Sequence, residues 1–148
     1  MQVTREQIYA ALYNQLLTVS AWAFADRRFH VITELQEGQF PAMMMLQKGE
    51  LSEVQGRGVP IKWVLKVDVL VYVDSSNSPN RVPAQVVNPI LDALELCIQP
   101  NINNALLLPQ TLGGLVSQCR IKGEIVTDEF IGGSQAMVSI PLEIVVQS

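Results

Sequence analysis

Charge is scarce in this chain: 16% of its 148 residues are Asp, Glu, Lys or Arg, against about a quarter in an ordinary soluble domain. The shortfall points to surface buried against other protein. A net charge of -4 and a pI near 4.9 argue against a domain that grips phosphates with a face of Lys and Arg, since such binding is dominated by positive surface. Histidine occurs once. His30 stands beside Arg27, Arg28 and Phe29 and reads as a surface histidine with no acidic partner at helical spacing, rather than a base or a metal ligand. The two cysteines, Cys97 and Cys119, have no second Cys or His at ligand spacing, so core thiols in a reducing compartment are expected rather than a disulfide or a metal site. No stretch approaches eighteen uninterrupted apolar residues, and MQVTREQIY has no apolar run behind its charges. Neither a membrane span nor a signal peptide is expected.

Catalytic patterns are missing as well. Nothing resembles a nucleophile elbow. Asp128 and Glu129 are adjacent, so in a strand they point to opposite faces and cannot share a substrate. Asp74 and Asn77 lack the Gly and distal Glu of a calcium loop. Gly56-x-Gly58 runs into a strand pattern rather than a helix start, which leaves no row of free N–H groups for a phosphate. No cofactor, metal or catalytic residue is expected, and the protein is read as not an enzyme.

What the chain has is a long alternating run. In IKWVLKVDVLVYV the odd positions Ile61, Trp63, Leu65, Val67, Val69, Val71 and Val73 are all apolar, while the even ones begin with Lys62, Lys66 and Asp68. A period of two means a strand with one buried face. At about 3.3 Å per residue the run reaches roughly 43 Å, about twice a usual strand. Leu70 and Tyr72 make the even face apolar towards the far end, so that end should be covered on both sides.

Around this spine the elements follow in order. Thr4 and Gln7 form a capping box, and Ile8, Leu12, Leu16 and Val19 recur at helical spacing, which predicts a helix from about Arg5 to Ser20. Ala21 to Gly38 suits either a short helical turn or an irregular strand. Pro41 introduces a short strand, Ala42 to Leu46, whose methionines are adaptable core filler. Gln47 to Pro60 is polar and glycine-containing, a long connection of the kind that is functional or disordered, and reads as an interaction arm. Asp74 to Pro83 is an exposed loop. Val86 or Val87, Ile90, Leu91, Leu94 and Ile98 mark a second helix, starting near Pro83 and kinked at Pro89, or starting at Pro89 itself. Asn101 to Pro109 carries Leu106, Leu107 and Leu108 as a plug over the sheet. Leu115 to Asp128 alternates as one half-buried strand, and Ala136 to Val146 as the last, where Pro141 points to an edge, a bulge or one-sided pairing.

A single domain, 1–148, of the α+β class is expected: an antiparallel sheet of about four strands with two helices on one face, in the order α-β-β-α-β-β. The other face would carry Lys62, Lys66, Asp68, Arg120, Lys122, Glu124 and Glu143.

Several segments resemble, in kind and order, the minor tail and tail terminator proteins of long-tailed bacteriophages: IKWVLKVDVLVYVDSSN, QVVNPILDALELCI, QTLGGLVSQCRIKGEIVTDEF, GGSQAMVSIPLEIVV and the preceding PAMMMLQKGE. The resemblance runs from about Thr4 to Val146 and leaves Ala21 to Gly38 unsupported. It implies a subunit of a homohexameric ring in the tail-neck region of the virion, assembled in the host cytoplasm. In that family the ring caps the tail tube protein, stops its polymerisation and gives the head-tail connector protein a docking surface. DNA would pass through the lumen without tight binding, which suits an acidic chain.

A ring needs two different matching patches. Candidate subunit or tube contacts are Lys48, Glu50, Glu53 and Arg57 on the arm, Ile61 and Trp63 at the start of the long strand, and Asp74, Asn77 and Arg81 in the loop beyond it. A neck or head completion protein, the tube protein itself and a monomeric small-molecule binding module are the alternatives.

Overall fold

The computed structural model describes residues 2–76, 82–98, 110–129 and 133–147. Helix α1 spans Arg5–Leu16. Its first turn is closed reciprocally: the Gln7 amide donates to the Thr4 hydroxyl at 3.2 Å, and the Thr4 amide donates to the Gln7 side chain at 2.9 Å. Ile8, Leu12 and Leu16 lie on its buried stripe, as the spacing required. The helix ends at Leu16 rather than Ser20, because the Thr18 hydroxyl donates to the Gln15 carbonyl and the Val19 amide to the Leu16 carbonyl, turning the chain away.

The open segment holds both kinds of structure its pattern allowed: strand β1 at Phe24–Asp26 and a 3-10 turn at Ile32–Glu34. Strand β2 is Ala42–Glu53, β3 is Lys62–Asp74, helix α2 is Pro83–Ile98, and β4, β5 and β6 are Gln118–Ile121, Val126–Glu129 and Gln135–Gln147. The sheet therefore has six strands rather than four, in the order β1-β2-β3-β6-β4, with β5 also on β6. It is mixed rather than antiparallel throughout, since β1 runs parallel to β2. The α+β class and both helices on one face hold.

Two physical causes account for the extra strands. β1 exists because Phe24, Phe40, Ile32 and Leu35 pack on Ala42, Met44, Leu70 and Tyr72, forming a small second core on the even face. The expected strand Leu115 to Asp128 is split by Pro141. The Pro141 carbonyl accepts from the Lys122 amide, so the position of its missing N–H faces the same neighbour, and the ladder breaks there. Ile121 pairs with Leu142 and Val126 with Ser139, leaving residues 122–125 opposite only two residues of β6. Gly123, at φ +121°, turns the corner so close to Pro141 that an added Cβ would lie 3.0 Å from its ring.

The main core lies between the helices and the odd face of β3. Leu65, Val67, Val69, Val71 and Val73 meet Val138, Ile140, Leu142 and Ile144 of β6, and Ile8, Leu12, Leu16, Val87, Ile90, Leu94 and Ile98 close it from above. Each such side chain contributes about 1.5–3 kcal/mol when removed from water. Helix α2 takes the longer of its two expected forms, beginning at Pro83 with Pro89 inside. Its N-terminal Ala84 amide donates to the Glu129 carboxylate at 3.0 Å, which gives that acid a capping role. Cys119 is buried and Cys97 half-buried, both as free thiols. Burial pushes the Cys119 thiol up to about 12.

Candidate functional site

The connection expected over Gln47 to Pro60 is, for its first half, sheet. β2 continues to Glu53, paired with Lys62, so only residues 54–61 stand beyond the ladder. Between Gln47 and Glu50 the register shifts: Gln47 pairs with Val67 and Glu50 with Leu65, one extra residue on β2. Such a bulge reverses which side chains face which way. Upstream of it Met43 and Met45 face the helices; downstream Glu50 takes that face.

Glu50 is thereby delivered to the N-terminal turn of α1. Its carboxylate accepts from Arg5 Nε at 2.8 Å and from the Tyr9 hydroxyl at 3.2 Å. Burial, then the Glu50 charge, push the Tyr9 phenol up to about 12. The Arg5 guanidinium lies 5.1 Å from the centroid of the Trp63 ring, within cation–π range. Four expected contact residues, Glu50, Glu53, Ile61 and Trp63, are thus gathered at one end of the β2–β3 ribbon. Arg5 and Tyr9, which brace them, carry no pattern of their own in the sequence.

Beyond the brace the chain is exposed and apolar. Val54 is 78% exposed, Leu51 51%, Val59 47% and Ile61 40%, which is dense for a segment this short. Gly58, at φ +78°, supplies the left-handed residue that closes the tip, and Arg57 is exposed there with no ion-pair partner among the described residues.

Adjacent to the ribbon the even face is charged, as its alternation required. Lys62 pairs with Glu53 at 3.2 Å, Lys48 with Asp68 at 3.9 Å and Arg120 with Glu143 at 2.7 Å. Lys48, Lys66, Asp68, Lys122 and Glu143 border an open groove of about 470 Å³. Burial alone would raise the Glu143 carboxyl, but the Arg120 hydrogen bond and the charges of Arg120 and Lys122 outweigh it and hold the group below its ordinary value.

Asp74 belongs elsewhere. It ends β3, twelve residues from Lys62, about 40 Å away at ~3.3 Å per residue. There it accepts from the Ser76 amide and the Ser134 hydroxyl, both at 2.8 Å. Those bonds offset the effect of burial and leave its carboxyl lowered. Asp74 therefore lies at the opposite end of the strand from the arm and Trp63. Asn77 and Arg81 lie outside the described residues, as do the Leu106 to Leu108 plug and the rest of 77–81 in the loop from Asp74 to Pro83.

His30 also needs correction. Asp26 and Glu34 flank it at four residues on either side, with its Nε2 2.7 Å from Asp26 and Nδ1 3.5 Å from Glu34. Its ring meets Phe24 edge-on at 5.0 Å between centroids, and the hydrogen bond to His30 holds the Asp26 carboxyl below its usual value. His30 is a partly buried clamp on the segment that covers Tyr72, whose hydroxyl donates to the His30 carbonyl at 2.8 Å. Among the described residues no group of three or more His, Cys, Asp or Glu is placed to hold a metal ion, and no helix is long and apolar enough to cross a membrane.

No family model and no curated protein matches the chain. Among solved structures, one chain without a functional name is similar at 18% identity and a TM-score of 0.49, over 98% of this chain and 96% of that one. A chain from the virion of a native gene transfer agent particle is similar at 10% identity and a TM-score of 0.41, over 94% and 93%. Both fall below the similarity that establishes a shared fold.

Proposed function

We propose that this protein is a structural virion subunit that joins copies of itself into a ring, performs no reaction, and acts as a tail terminator: the ring caps the tail tube, stops its growth and offers a docking surface to the head connector. The observation that carries this reading is the Lys62 end of the sheet. There a braced ribbon of polar residues ends in an apolar tip that the described residues of its own chain leave exposed. A lone soluble domain gains nothing from such a tip, whereas a subunit that must meet a neighbour needs one. The resemblance of the strand, helix and hairpin segments to tail terminator and minor tail proteins supplies the ring, its hexameric order and its place in the tail-neck region. The chain's net charge of -4 suits a lumen that lets DNA pass without holding it.

Negative-stain images of the purified protein test the reading. Closed rings are expected. Long filaments would identify a tube protein instead, and featureless monomers at every concentration would overturn the proposal. Micromolar binding of duplex DNA at physiological salt would overturn the non-gripping lumen.

A further inference from the structure

The described residues leave the tip exposed, and the same chain carries a surface suited to receive it. Among the described residues, helices α1 and α2 leave between them an open groove of about 430 Å³, bordered by Gln15, Thr18, Val19, Ala93, Leu96, Cys97 and Gln110. Its walls hold no charged residue, and Leu96 on its edge is 58% exposed. Asp92 lies four residues before Leu96, so it shares the Leu96 side of α2. Asp92 has no ion-pair partner among the described residues, and Arg57, the single charge in the tip from Val54 to Ile61, has none either. An apolar tip carrying one cation and a largely apolar groove flanked by Asp92, both unpaired among the described residues, are complementary in both respects.

We infer that the β2–β3 tip of one copy, through Val54 and Val59, docks in the α1–α2 groove of the next copy, with Arg57 set against Asp92. This rests on the reading that copies assemble, and it names the second patch of the contact. Tip and groove are different surfaces, so the contact is heterologous: each copy gives one tip and receives one, and a constant rotation closes the ring. The pairing leaves the charged even face of the sheet out of this contact. Cys97, half-buried in the groove wall, comes to lie beside the neighbour's tip.

Two exposed positions make the test clean, because neither belongs to the core. Val54→Asp disables the tip and Leu96→Glu disables the groove. Each variant alone should sediment as a monomer at a concentration where the unaltered chain is assembled, with self-association weakened at least about tenfold. Mixed, they retain one intact tip and one intact groove, and should form a 1:1 dimer and nothing larger. Independently, Val59→Cys should form disulfide-linked ladders under mild oxidation, and these should vanish when Cys97→Ser is added. If the unaltered chain assembles while both variants assemble equally well and no ladder forms, the docking is wrong and the ring reading stands. If the unaltered chain stays monomeric at every concentration, both fail.

Discussion

Strand β3 ends in two different worlds. At its Asp74 end both faces are apolar, and the chain supplies the cover itself: the helices on one side, and on the other the segment of β1 and the 3-10 turn, which lays Phe24, Ile32, Leu35 and Phe40 over Leu70 and Tyr72. At its Lys62 end the even face carries Lys62, Lys66 and Asp68 around a buried Val64, and the ribbon ends in exposed Val54, Val59 and Ile61. One strand of thirteen residues thus holds a finished half and an unfinished half. On the proposed reading, the cover for the unfinished half is a neighbouring copy.

If the Asp74 end is finished, its substitutions should cost stability and leave assembly alone. The largest effect is expected for Tyr72→Ala, which empties a buried aromatic site and removes the hydroxyl donated to the His30 carbonyl. About 3–5 kcal/mol should be lost, read as a lower urea midpoint. Gly123→Ala should come next. It forces a side chain onto Pro141 at a φ of +121° and should cost about 1–3 kcal/mol by the same measurement.

Glu143→Gln sharpens the comparison through pH. The folded Glu143 carboxyl is lowered below its ordinary value of 4.5, so the unfolded chain binds its proton more readily. The stability it contributes is present above about 4.5 and is lost as the pH falls through the lower folded value. At pH 7 the substitution should cost about 1–3 kcal/mol. The gap from the unaltered protein should narrow as the pH drops below 4.5. A gap that widens on acidification would contradict the Arg120 pairing.

The smallest effect on stability belongs to the unfinished end. Arg5→Ala removes an ion pair whose side chains are 47% and 25% exposed, together with the contact on Trp63, and should cost no more than about 1 kcal/mol. Its consequence should appear instead in a weaker self-association, measured by sedimentation velocity.

How much of this was legible in the residues depended on whether one side chain decided the outcome. The spine, both helices and the capping box followed from period and spacing alone, and the apolar Leu70 and Tyr72 announced a cover on the even face. What supplies that cover is a tertiary matter, so β1 stayed hidden in a segment too short and irregular to show a period. Pro141 gave warning of a break in pairing, yet the break falls on its neighbour, where the alternation of Leu115 to Asp128 looked unbroken. The bulge before Glu50 left no mark beyond Gly49, which many turns share. Without it the meeting of Glu50 with Arg5 and Tyr9, more than forty residues apart in the chain, cannot be read from spacing. His30 is a different case: Asp26 and Glu34 stood at four-residue spacing in plain view.

Amide hydrogen exchange at low and high protein concentration tests the division of β3 most directly. Residues 50–62 and the Asp92 to Cys97 side of α2 should slow with concentration as copies cover them, while Val69 to Asp74 and β1 exchange at unchanged rates. Concentration-independent exchange throughout, or slowing confined to the Asp74 end, would contradict the assignment of the Lys62 end to a neighbouring copy.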